Sequence, residues 1–348
     1  MKAVDFIVVG CGLASISFCE QLRQNNHSFI VFDDTSQKSS LVAAGLYNPV
    51  ILKRFSEVWK AKEQLEIAQA LYKRIEDHLN IKIDHELQLL RRFTSVEEQN
   101  MWFDASDKPK LEPYLSLTLL KNSNAHIDAP FGFGEVLKAG RLDTETLIDE
   151  YKSFLRAKGC LIDTTFSYNL LQLDESMVNY ENLSTKNVVF AEGFGIKQNP
   201  YFKSLPLNGT KGEVLTIRSK ALKLTQAIKS SVFVIPLGND LYTVGSTYNW
   251  RDKSNRPTQT GEEELTTKLK SFVKCDFEVI EHLAGIRPTV KDRRPLVGRH
   301  PEFSNLYVLN GLGTRGVMIA PYVAQELYNY IQHNKPLDPE IDINRFTF

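Results

Sequence analysis

The chain is poor in cysteine, and its cysteines keep no metal-binding or redox spacing. Cys11, Cys19, Cys160 and Cys275 are scattered over 348 residues without a Cys-x-x-Cys pair. This argues against a disulfide framework and a zinc ribbon, and it suits buried thiols in a reducing compartment. The seven histidines show neither His-x-x-x-His nor His-x-His spacing, so no metal site is expected. No apolar run reaches the length that spans a bilayer. Net charge is lacking as well, since 42 basic side chains balance 42 acidic ones. A neutral chain has no general attraction for nucleic acid or anionic lipid, although a local basic patch remains compatible with it. With 42% apolar and 24% charged residues the composition is that of a soluble globular protein of one large or two modest domains. The N-terminus enters a strand at once, which leaves no room for a signal peptide and makes the cytoplasm the expected location.

What the chain does contain is a glycine turn between an apolar strand and a helix, Phe6-Ile-Val-Val-Gly10-Cys-Gly12-Leu13-Ala14-Ser15. A second apolar run, Phe29-Ile-Val-Phe, ends in Asp33-Asp34. Strand, turn, helix, strand and acid in this order form a dinucleotide-binding unit. Gly10 permits the turn, Gly12 lets the backbone approach a pyrophosphate, and the helix that starts there turns its positive end toward that charge. Asp33 is spaced to accept a hydrogen bond from a ribose hydroxyl, which favours FAD or NAD over NADP. Ser15 stands where a third glycine is usual, and its small side chain still allows close helix–strand packing.

Further along, Leu41-Val-Ala43-Ala44-Gly45-Leu46-Tyr-Asn-Pro49 suits a backbone running close to a ligand. Helical spacing is expected over 56–78, over 144–158 with Asp143 as N-cap, over 261–273 and over 317–333. The stretch 81–126 reads as a small, strand-rich insertion. Strands are expected over 161–173 and at Val188-Val-Phe-Ala-Glu-Gly193, and alternation over 209–283 predicts antiparallel sheet. The tail repeats the opening pattern: Leu306-Tyr-Val-Leu309, the turn Asn310-Gly311-Leu-Gly313-Thr314-Arg315-Gly316, then a helix from Val317. The expected fold is α/β. A discontinuous Rossmann-like domain (1–80, 140–205 and 284–348) carries an inserted, mostly antiparallel α+β substrate domain (81–139 and 206–283).

The stretch Gly285-Ile-Arg287-Pro288-Thr-Val-Lys-Asp292-Arg-Arg-Pro295, followed by the Gly311–Gly316 turn, resembles the C-terminal signature of the D-amino-acid oxidase/glycine oxidase superfamily of FAD-dependent oxidoreductases. The opening fingerprint, Ala43-Ala44-Gly45, Ala139-Gly-Arg-Leu-Asp143, Lys211-Gly212-Glu213 and Pro236 ahead of Gly245-Ser-Thr247 extend the likeness over nearly the whole chain. The resemblance implies a FAD domain of the glutathione-reductase type with a non-covalent cofactor, because Gly285-Ile-Arg287 stands where some relatives attach flavin through a cysteine. It implies that Gly10, Gly12, Leu13, Ala14, Ser15, Asp33 and Asp34 hold the dinucleotide. Ser39, Ser40, Ala44, Gly45 and Leu46 would line one flavin face and the phosphates, and Phe166 would offer its backbone to the adenine. Gly193, Gly285, Gly311, Gly313, Thr314, Arg315, Gly316 and Val317 would complete the cradle, the last amides facing the flavin N1–C2=O edge. Arg287 would bind the substrate carboxylate, with Phe233, Tyr248 and Leu46 as pocket walls. The other reading of Arg287 is a structural pair with Asp292 or a carbonyl.

The implied activity is oxidation of a C–N bond in an amino acid or secondary amine that carries a carboxylate. Hydride passes to flavin N5 and the imine is hydrolysed. Oxygen or an unidentified carrier would accept the electrons. The turn Gly311-Leu-Gly-Thr-Arg-Gly316 is closest to the FAD domain of bifunctional tRNA-modifying enzymes. A second reading is therefore oxidative removal of an N-carboxymethyl group from a tRNA base, with Lys53, Arg54, Arg91 and Arg92 as a basic patch. A third is a flavin-bound assembly or redox-partner protein without a free substrate. An NAD dehydrogenase leaves Arg287 and the second glycine turn unexplained.

Overall fold

The computed structural model describes residues 1–174 and 176–346. Strand Lys2–Val9 is buried from Phe6 onward and pairs in parallel with Phe29–Phe32 on one side and Leu183–Phe190 on the other. Leu161–Ile162 and Leu306–Asn310 extend the parallel sheet at its two ends, and Leu296–Arg299 runs antiparallel along the outer edge. Runs such as Phe29–Phe32, with every residue buried, are what strands covered on both faces require. One face packs under helices α1 (Leu13–Gln24), α2 (Ala61–Leu79), α4 (Thr144–Ala157) and α6 (Gly316–His333). The other lies on an aromatic layer that includes Phe166, Tyr180, Phe190 and Phe202.

Helix α6 holds an interior proline, Pro321, which has no N–H to give to the Val317 carbonyl four residues earlier. Tyr72 of α2 takes that place: its hydroxyl donates to Val317 O at 2.6 Å in a buried setting. The carbonyl orphaned by the proline thus fastens the two helices together. Asp143 caps α4 as its sequence predicts, accepting from Thr146 N–H.

The second sheet is built on the two longest strands, Leu207–Arg218 and Glu278–Val290, paired antiparallel over nearly their whole length. Leu241–Gly245, Phe233–Gly238, Ala227–Lys229, Leu89–Arg92 and Phe133–Val136 follow in that order. All neighbours are antiparallel except Ala227–Lys229 beside Leu89–Arg92. Helix α5 (Gln259–Lys270) buries Leu265 and Leu269 against Leu215, Ile217, Val234 and Val244. Glu278–Val290 runs unbroken through residue 284, where the sequence pattern puts a domain boundary. Only its burial changes there, from mostly exposed to mostly buried. The stretch 81–126 is less strand-rich than expected, because it contains helix α3 (Val96–Ser106), capped by Ser95, which accepts from Glu98 N–H. Likewise 161–173 is not one strand: a 3-10 turn, Tyr168–Leu170, divides Leu161–Ile162 from Leu171–Leu173.

At the carboxyl end of Leu183–Phe190, Glu192 is buried. It accepts from Tyr168 Oη and from Asn199 Nδ2, the latter at 2.8 Å. Burial pushes its carboxyl up to about 7 despite both donors.

Two outcomes test these contacts. Tyr72→Phe leaves the Val317 carbonyl buried and unpaired, so urea unfolding should show a loss of about 1–3 kcal/mol. Because the folded protein holds the Glu192 proton more tightly than the unfolded chain does, stability falls as pH rises from about 4.5 to about 7. Relative to wild type, Glu192→Gln should therefore gain stability across that window and stay level above it, as measured by unfolding at pH 5, 7 and 8.5.

Candidate active site

The first glycine turn is shaped by its neighbours. Gly10 has φ +99°, and a Cβ there would lie 2.6 Å from the Ala191 carbonyl oxygen. Gly12 opens α1 without a side-chain cap, and the first turn carries no acid, so the helix N-terminus is left for an external anion. Ser40 Oγ reaches this turn, accepting from Leu13 N–H at 3.3 Å. Ala14 and Ser15 are buried beneath it, and Ser15 Oγ has no hydrogen-bond partner.

Asp33 closes the turn from the second strand, accepting from Cys11 N–H at 3.1 Å. It also pairs with Lys152 Nζ at 2.6 Å. Lys152 lies on the buried stripe of α4 and was not singled out in the sequence, although a lysine between Tyr151 and Leu155 on an apolar face is a legible signal. Asp34 points elsewhere, accepting from Ser36 N–H and Thr165 Oγ1. The Phe166 ring is buried and stacks on Tyr180 at 4.3 Å, which leaves its backbone as the part that can face a ligand. Gly193, with φ +55°, has nothing within 4 Å of a built Cβ, and its carbonyl accepts from Asn310 Nδ2.

The loop 39–46 lies between the two sheets. A Cβ on Gly285 would meet Ser39 Cα at 3.2 Å, and one on Gly45 would strike the Leu142 carbonyl at 1.8 Å. Ala44 is half-buried, and Leu46 pairs across strands with Arg141, whose Nε is buried without a partner. On the opposite side, Gly313 N–H donates to Pro288 O at 2.9 Å, and a Cβ on Gly316 would lie 3.3 Å from the Leu13 side chain. Gly311, with φ +74°, packs on Val290 and Leu296. Thr314 is exposed and Val317 buried. The two glycine turns, the loop and the Gly285 strand therefore meet around one cleft.

Arg287 lies on the strand face that looks into this cleft, because it shares side-chain parity with Gly285. Its guanidinium occupies the space above Gly212, where a Cβ would be 1.8 Å from Nη2. The glycine of Lys211-Gly212-Glu213 is thus a volume requirement of Arg287. Nη1 donates to Thr247 O at 3.2 Å, and the guanidinium carbon lies 4.7 Å from the Tyr248 ring centroid. No carboxylate pairs with Arg287 among the described residues. Asp292, the partner considered from the sequence, is engaged by Arg345 at 3.0 Å. Burial lowers the affinity of Arg287 for its proton. Tyr248 is 59% exposed, so it forms a rim and is no core aromatic. Phe233 is half-buried opposite Gly245, with the Lys229 ammonium 6.0 Å from its ring. Burial brings Lys229, the cation beside Phe233, down to about 8.

Behind Arg287 a charge network fixes the Tyr248 segment. Lys211 is fully buried and its Nζ pairs with Asp252 at 2.5 Å. Glu213 accepts from Thr258 N–H and Oγ1, both at 2.9 Å, and lies 2.8 Å from His282 Nε2. Arg315 is the other cation of the cleft. Its Nη1 donates to Asn48 O at 3.4 Å, and burial lowers its guanidinium to about 10. Arg91 and Arg92, in contrast, are spent on Glu98 and Asp128 and do not form a free basic patch. Lys53 and Arg54 are exposed. Among the described residues there is no cluster of acids, histidines and cysteines able to hold a metal, and no helix long and apolar enough to cross a membrane.

Residues 5–329 match the family described as DAO, FAD dependent oxidoreductase. The glycine oxidase of Bacillus licheniformis is 24% identical over 366 aligned positions, covering 96% of this chain and 94% of the relative. The tRNA 5-methylaminomethyl-2-thiouridine biosynthesis bifunctional protein MnmC of Haemophilus ducreyi is 22% identical, covering 97% of this chain but only 57% of the relative. Among solved structures, glycine oxidase from Geobacillus kaustophilus superposes with a TM-score of 0.80 at 19% identity over the whole of both chains. Iminodiacetate oxidase from Chelativorans sp. BNC1 gives 0.80 at 15% identity over 97% of this chain and 98% of that one. A glycine cradle at an uncapped helix, an acid at the end of the second strand and a second glycine turn suit an extended dinucleotide such as FAD. By the extent of the family match, this chain belongs to the DAO family of FAD-dependent oxidoreductases.

Proposed function

We propose that the chain oxidises the C–N bond of an amino acid or secondary amine bearing a carboxylate, and that Arg287 binds this carboxylate. The observation that carries the reading is a half-buried guanidinium with no acid partner among the described residues, stacked on an aromatic rim inside the cofactor cleft. Withdrawing an uncompensated cation from water is unfavourable, and a bidentate carboxylate is the ligand its planar fork fits best. When bound, FAD would supply the hydride acceptor for the carbon beside the nitrogen, and hydrolysis of the resulting imine by water would give an amine and a carbonyl product. The backbone of Gly313 to Val317, at the N-terminus of α6, would hold the pyrimidine edge and stabilise its added charge. Gly10, Gly12 and the α1 N-terminus would hold the pyrophosphate, with Asp33 on the ribose. Arg287 orients the substrate while Tyr248, Phe233 and Leu46 limit its access to water. Alignment of the reacting carbon, more than a side-chain base, is the contribution asked of these residues.

A second reading, removal of an N-carboxymethyl group from a tRNA base, keeps the same chemistry and the same arginine. It is favoured by Tyr248 and Trp250, both more than half exposed, which offer stacking surfaces beside Arg287. The engagement of Arg91 and Arg92 by acids counts against it.

The test is anaerobic flavin absorbance of the purified protein, titrated with glycine, sarcosine, D-amino acids and N-carboxymethyl nucleosides. Bleaching by a carboxylate-bearing amine is the expected result. A spectrum unmoved by all of them, in protein that dithionite reduces, would contradict the reading. Arg287→Ala should weaken apparent substrate affinity by about 2–4 kcal/mol while the flavin stays bound. Loss of the flavin instead would make Arg287 structural.

A further inference from the structure

Most arginines that the fold holds half-buried are matched to an acid. Arg23 pairs with Glu20, Arg91 with Glu98, Arg92 with Asp128 and Arg345 with Asp292. Arg287 and Arg315 have no acid partner among the described residues, and they face the same cleft. Their backbones are bolted together: the Gly313 N–H bond to Pro288 O joins a residue two before Arg315 to the residue directly after Arg287. Arg287 stacks on the Tyr248 ring, the same tyrosine whose phenolate form would favour the charged Arg315. Each guanidinium gives one N–H to a backbone carbonyl, Thr247 O or Asn48 O, out of five that it carries. Arg293 adds a further positive charge near Arg315.

One carboxylate satisfies one guanidinium fork. Two forks on joined segments, with no acid partner for either among the described residues, ask for two negative charges. The pyrophosphate of the cofactor does not provide the second, since its cradle is at Gly12 and Ser40 on the other turn.

We propose that the substrate is a dianionic amine, with one carboxylate held by Arg287 and a second acidic group held by Arg315. N-carboxymethyl amino acids and iminodiacetate-like amines are the chemical class that fits. This inference rests on the reading of Arg287 given above.

The test uses the FAD-bound protein and two ethers that cannot be oxidised to an imine. Oxydiacetate carries two carboxylates, methoxyacetate one, and binding is read from the flavin difference spectrum and by calorimetry. Oxydiacetate should bind roughly 10-fold tighter or better, as expected for one added charge-assisted contact. Arg315→Gln should bring the ratio of the two affinities close to one, and Arg315→Lys should retain part of it. Anaerobic bleaching by iminodiacetate and by sarcosine should show the same preference. Equal binding of the two ethers to wild type would overturn the second site while leaving Arg287 as the carboxylate ligand. A wild-type preference that Arg315→Gln does not reduce would overturn the assignment to Arg315. Failure of both ethers to bind, together with no bleaching by any amine, would remove the Arg287 reading and this inference with it. Should Arg315→Gln release the flavin, the wild-type comparison decides, with Arg315→Lys as the second variant.

Discussion

A missing methyl group organises this cleft. Gly212 lies in strand Leu207–Arg218 opposite Gly285, and the absence of its side chain leaves the volume that the Arg287 guanidinium fills. Any other residue at 212 would push the arginine out of its place above Thr247 and Tyr248. The antiparallel register of the two long strands sets this relation, and the same strand places Gly285 against Ser39 of the cofactor loop. Pro288, the next residue after Arg287, accepts from Gly313. A single pairing of strands therefore fixes the arginine, the loop on one side of it and the second glycine turn on the other.

The electrostatics divide the cations into two groups. Lys152, Lys211, Arg91 and Arg92 are neutralised within the fold and serve as structure. Lys211 and Glu213 face away from Arg287 along the same strand, and their network with Asp252, Thr258 and His282 holds the segment that carries Tyr248 and Trp250. Arg287 and Arg315 instead keep their charge at the cleft without an acid partner among the described residues, and burial lowers the proton affinity of both. A region in which half-buried cations go unmatched is prepared for an anion, and that is how the fold's internal charge balance connects to its chemistry.

Much of this was legible before the fold was known. The glycine turns, the Asp143 cap and the α6 helix follow from local pattern, because each is set by neighbours in sequence, whereas Arg287 stands out only through the resemblance of its segment to a family signature. Helix α3 was also legible, since Ser95 and Glu98 have the spacing of a capping box, but the short, mixed pattern over 81–126 reads as strand-rich. Other features depend on partners distant in sequence, which periodicity does not reveal. Tyr72 meets Val317 only because Pro321 leaves a carbonyl free. Asp33 finds Lys152 across 119 positions, and Arg91 looks like a surface cation until Glu98 is seen to hold it. The reason for Gly212 is likewise invisible in a single strand, since it lies in the side chain of the strand beside it.

The account is tested most directly by a structure of the FAD-bound protein with methoxyacetate, an unreactive mimic of sarcosine. It predicts both carboxylate oxygens at roughly 3 Å from the Arg287 guanidinium nitrogens and the methylene carbon facing the flavin ring. A carboxylate bound elsewhere, with Arg287 still directed to Thr247 O, would contradict it.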